Sequence, residues 1–137
     1  ETYNLDTSNI VIGGSSRGSI ISWIYGHRPN TNIKGLYMYN ALPNPAWASP
    51  SSWLPTDNVT IESPPIYFVY NREPGSSSDP IYPNFHDPNN GITIVNKYQS
   101  LGIENRTNLV HSIGQTNNDD KYQFLVDFAL SVIETCQ

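Results

Sequence analysis

Asn9-Ile10-Val11-Ile12-Gly13-Gly14-Ser15-Ser16-Arg17-Gly18-Ser19 is the stretch that decides the fold. A short β-branched run, Asn9 to Ile12, closes on two glycines, the pattern of a buried strand. After the serines come Ile20, Ile21, Trp23, Ile24 and Tyr25, then Gly26. That is the length of a short helix with a glycine stop. Strand, tight turn and helix follow in that order. Within the turn, Gly14-Ser15-Ser16-Arg17-Gly18 fits G-x-S-x-G, and its place between strand and helix gives the motif its meaning. A sharp turn there lifts the Ser16 hydroxyl above the sheet, and the flanking glycines let the backbone pass closely. The helix N-terminus adds positive potential, and the Arg17 amide is placed to meet a developing oxyanion.

Working outward, Ile33 to Tyr39 reads as a second strand, and Ile66 to Tyr70, introduced by Pro64-Pro65, as a third. Residues 41–63 between them hold Pro43, Pro45, Pro50 and Pro55 with Trp47 and Trp53. This is a Pro/Trp-rich loop longer than most connections in compact domains. Residues 71–91 form another polar loop. A helix is predicted from Ile92 to Leu101, where Ile92, Val95 and Tyr98 recur at threes and Gly102 stops it. Asn108-Leu109-Val110 makes a short fourth strand. Leu125, Phe128, Ala129 and Val132 repeat at helical spacing, and Asp119 and Asp120 suit the positive end of that last helix. About four strands alternating with three helices imply an α/β fold, a mostly parallel sheet with helices on both faces.

Composition sets the outer limits. The chain has 137 residues, seven basic and twelve acidic, for a formal charge of −5. No Lys/Arg run exists, which argues against nucleic acid as a partner. No apolar stretch approaches ~20 residues, so no membrane-spanning helix is expected. Aromatic residues at 12% with only 14% charged residues indicate a folded chain. The histidines are scattered and there is one cysteine, so no metal-ligand cluster is expected, and no P-loop pattern is present. Neither a metal nor an organic cofactor is expected.

A serine hydroxyl needs a base, normally a histidine oriented by a carboxylate, to become a nucleophile. His27 falls at the far end of the first helix, pointing away. His86 lies in the polar loop 71–91. His111 follows the fourth strand, and strand carboxyl ends in a parallel sheet share one rim, so His111 is expected to meet Ser16. Asp79 follows the third strand on the same rim and is the expected acid, with Glu73 and Asp87 competing in the same loop.

Ser16, Asp79 and His111 stand in the order of the α/β-hydrolase triad. The segment Asn4 to Ser19 resembles the helix-to-elbow stretch of secreted α/β-hydrolase esterases, especially carbohydrate esterases and dienelactone-hydrolase-like enzymes. Pro64-Pro65-Ile66-Tyr67-Phe68-Val69-Tyr70 is similar to their strand before the acid. Asp79-Pro80-Ile81-Tyr82-Pro83 resembles the acid loop, and Val110-His111-Ser112-Ile113 the histidine loop. The resemblance spans nearly the whole chain but only the C-terminal half of the family's domain. It implies hydrolysis of a small carboxylic or carbohydrate ester by Ser16, His111 and Asp79, with Arg17 as an oxyanion donor. An alternative register places the family's glycine turn at Gly114-Gln115-Thr116-Asn117, with Asn117 in the histidine's place and the site inactive.

Residues 1–137 are therefore expected to form a partial domain that begins just before the elbow strand. A companion segment or chain would complete the sheet, and Cys136, a lone thiol, could bridge to it. Asn58-Val59-Thr60 and Asn105-Arg106-Thr107 are glycosylation acceptors and fit a secreted or luminal protein. Trp47 and Trp53 either line the substrate pocket or pack their loop onto the sheet. The rival expectation is an inactive hydrolase fold in an extracellular structural or assembly role.

Overall fold

The computed structural model describes residues 7–42, 56–76, 86–113 and 118–134. Four strands, β1 (Ile10–Ser15), β2 (Ile33–Tyr39), β3 (Ile66–Val69) and β4 (Thr107–Val110), form one sheet in the order β1-β2-β3-β4. Every neighbouring pair is parallel. Three helices, α1 (Arg17–Gly26), α2 (Pro88–Ser100) and α3 (Asn118–Glu134), pack on it. This is the α/β architecture expected from the alternation of strand and helix patterns.

Parallel neighbours need crossover connections, and a common handedness puts successive crossovers on one face when strands follow in sequence order. The packing agrees. Trp23 of α1 and Ile94 and Tyr98 of α2 share one core with Leu36, Met38, Ile66, Phe68 and Tyr70. Ala41 and Val59, from the connection between β2 and β3, join the same core. Phe128 and Val132 of α3 cover the other face, against Tyr37, Tyr67 and Val69. Helices thus lie on both faces. Between them, β3 is buried at every position from Ile66 to Val69, as a strand covered twice must be. Burying each of its large side chains contributes about 1.5–3 kcal/mol. Gly35 lets α3 approach β2, since a Cβ there would stand 2.9 Å from the Phe128 ring.

α2 begins at Pro88, four residues before the Ile92 predicted from periodicity. The reason is local: Asp87 accepts a hydrogen bond from the Asn89 amide as N-cap, and Pro88 takes the first helical position. The apolar pattern starts only at the second turn. β1 extends past Ile12 through both glycines to Ser15. Among the described residues, β1 pairs with β2 alone.

Candidate active site

The carboxyl ends of the strands stand level: Ser15 is opposite Tyr39, Tyr39 opposite Val69, and Val69 opposite Val110. The next residue on each strand is anchored by its neighbour. The Ser16 amide donates to Tyr39 O (3.0 Å), Asn40 to Val69 O (2.8 Å) and Tyr70 to Val110 O (2.9 Å). The Asn71 amide donates to Asn40 Oδ1 at 3.0 Å, which ties two rim turns together.

Ser16 sits at this rim with φ 53° and ψ −118°, between β1 and α1. Few non-glycine residues adopt a positive φ, and such strain clusters at functional positions. The turn is possible because Gly14 has no side chain. A Cβ on Gly14 would lie 2.2 Å from the backbone of Gly18, far inside contact distance. The Ser16 carbonyl accepts from the Ser19 amide at 3.0 Å and from its hydroxyl, starting α1. Arg17 is the first residue of that helix. Its amide therefore belongs to the positive helix end beside the Ser16 side chain.

The Ser16 hydroxyl lies 2.9 Å from Nε2 of His86. With the His86 proton on Nδ1, the hydroxyl donates and Nε2 accepts. His86 also has a positive φ, 57°. Burial holds its pKa below the usual 6.5, and the positive charge of Arg72 lowers it further. The ring is thus neutral at pH 7, the state in which Nε2 can take a proton.

His111, expected opposite Ser16, has other neighbours. Its Nδ1 lies 2.7 Å from Ser112 Oγ and 3.3 Å from Glu73 Oε2. Both members of the latter pair are open to solvent, the His111 side chain 40% and Glu73 64% exposed. The rim thus carries two couples: Ser16 with His86, and His111 with Glu73. His27 falls at the end of α1 as expected, its Nδ1–H donating to Trp23 O at 3.0 Å and its ring 4.0 Å from that of Trp23. Asp79, Trp47, Trp53, Asn117 and Cys136 lie outside the described residues.

Asp87, a competitor for the acid's role, is 5% exposed and satisfied by backbone amides. Asn58 and Asn105 are both exposed, in short 3₁₀ turns that precede β3 and β4 at the end of the sheet opposite Ser16. A cavity of about 420 Å³ opens at that opposite end, among His27, Arg28, Asn58 and Glu62. It does not include the serine, and the pairing of Ser16 with His86 marks the candidate site instead.

His86 escaped sequence reasoning because it sits in a polar loop, 70 residues from Ser16. The signal that finds it is Asp87-Pro88. That pair marks a helix start, and a helix following β3 in a parallel sheet must start at the strand-end rim. Among the described residues, no group of three or more His, Cys, Asp or Glu could hold a metal ion, and no helix is long and apolar enough to cross a membrane. Comparison with family models, with curated proteins and with solved structures finds no match to the chain.

Proposed function

We propose that this chain is a serine hydrolase of the α/β-hydrolase type, acting on small carboxylic or carbohydrate esters through an acyl-enzyme. One observation carries the reading: at a strained strand-to-helix turn, the Ser16 hydroxyl stands 2.9 Å from a neutral imidazole nitrogen of His86. A hydroxyl so paired gives its proton to Nε2 as its oxygen attacks the ester carbonyl. Negative charge then develops on the carbonyl oxygen, beside the Arg17 amide at the head of α1. Collapse of the tetrahedral species breaks the ester C–O bond, and the imidazolium protonates the leaving alcohol. Water, deprotonated by the same nitrogen, releases the acid and restores Ser16. The loop between β3 and α2, which carries Asp79, is the proposed source of an orienting carboxylate.

A second reading is favoured by the contact between His111 and Glu73. Here an imidazole already faces a carboxylate on the same rim, and in this reading His111 replaces His86 as the base, as the family resemblance implies. Glycosylation at Asn58 and Asn105 is supported by their exposure away from the serine, and secretion is proposed with it. A companion segment beside β1 is supported by the single pairing of that strand among the described residues.

A fluorophosphonate probe tests the reading. Covalent mass added at Ser16 is expected, absent in Ser16→Ala, together with turnover of acetyl, short acyl or feruloyl esters. A folded protein with no adduct, beside an esterase that reacts, rejects it and favours a non-catalytic use of the fold.

A further inference from the structure

Asp87 follows His86 directly and is almost fully buried. Capping α2 requires only one of its oxygens, Oδ1, which accepts from the Asn89 amide at 2.8 Å. The carboxylate does more. The Gly75 amide donates to both oxygens, at 3.2 Å to Oδ1 and 3.0 Å to Oδ2. Gly75 belongs to the loop after β3 that also carries Arg72 and Glu73, and it holds a positive φ of 71°. One buried carboxylate thus fastens two separate turns: the one presenting His86 and the one presenting Arg72. A cap alone is served equally well by serine or asparagine. The second attachment, to a residue twelve positions away, is what calls for a carboxylate.

We infer that Asp87 is a positioning residue: by clamping Gly75 to the start of α2, it fixes the His86 backbone in its left-handed turn and so holds Nε2 on the Ser16 hydroxyl. This rests on the reading of Ser16 and His86 as the reacting pair. The Asp87 carboxylate accepts from the Asn89 and Gly75 amides, and it acts through the backbone it holds. Among the groups acting on the imidazole are Ser16 from the elbow and Arg72 from the clamped loop.

The test is Asp87→Ser, which keeps a capping oxygen for Asn89 but is too short to hold Gly75 as well. Asp87→Asn, isosteric but uncharged, serves if the serine variant does not fold. Fluorophosphonate labelling of Ser16 is expected to slow about 10–100-fold, the usual consequence of misplacing a reacting group by about 1 Å. The His86 ring proton resonances, followed by NMR, should titrate at higher pH than in the parent protein, because burial and Arg72 both relax. A merely structural cap would move the thermal midpoint and leave that titration in place. Parental labelling with a parental His86 titration, in a folded variant, overturns the inference. If the parent protein itself takes no label, the hydrolase reading fails separately, and an unshifted His86 titration in the variant still overturns the positioning role.

Discussion

Ser16 Oγ and His86 Nε2 stand 2.9 Å apart, and both residues hold φ values near +55°, 53° for the serine and 57° for the histidine. Two side chains from turns 70 positions apart are each presented by backbone that non-glycine residues seldom adopt. Neither turn is glycine at the strained position, and strain of this kind gathers at functional sites.

If the proposed ester hydrolysis holds, removing either partner should abolish it while sparing the fold. When such residues act as a unit, loss of one lowers kcat by about 10⁴–10⁶. His86→Gln is expected to fall in that range, whereas His111→Gln should remain within a few-fold of the parent. Ester turnover and labelling rates of the two variants decide the matter. The opposite ranking would make His111 the base.

The pH dependence follows from the state of the imidazole. His86 must be neutral to accept a proton, and burial together with Arg72 places its pKa below 6.5. The value of kcat/KM should be flat above that pKa and fall about tenfold per pH unit below it. Arg72→Gln removes one of the two causes, so its acid limb should shift to higher pH.

Stability should weaken on acidification for the same reason, with a second contributor. His27 is also held below 6.5 by burial, partly offset by its bond to Trp23 O. For both histidines the unfolded chain binds the proton more tightly than the folded one. Stability is thus complete above about pH 6.5, declines as pH falls, and levels off below the folded pKa values. Among the described residues His27 Nε2 is buried without a hydrogen-bond partner, so His27→Phe loses little there. Urea midpoints from pH 7.5 to 5 should fall less steeply in that variant.

The glycines of the elbow are not equivalent. Gly14→Ala drives a methyl into the Gly18 backbone and should cost about 3 kcal/mol or more, since backbone cannot swing aside. Gly18→Ala meets nothing among the described residues and should be tolerated. Denaturant unfolding of the two variants tests the contrast.

The strands and the elbow were legible because their signals are local. Ile10 to Ile12 is a continuous β-branched run, β2 was bounded at Ile33 and Tyr39 as found, and the G-x-S-x-G spacing reports a close backbone approach. The start of α2 was not, because its first turn, Pro88-Asn89-Asn90-Gly91, has no apolar period. That omission carried His86 with it. Without the helix start, nothing in the residues around His86 says that the loop returns to the serine. Glu73 was legible only as a competitor, since its partner His111 comes from another strand end.

The rim turns hang from one another in series: Ser16 from Tyr39, Asn40 from Val69, Tyr70 from Val110. The height of the serine is therefore a dimension measured from the far side of the sheet, through three successive couplings. A change that lengthens or tilts the end of β4 displaces the datum from which the others are set. The position of Ser16 is thus set in part by β3 and β4, so substitutions at Val69 or Val110 belong among the places where the proposed reactivity is expected to be lost at a distance from the serine.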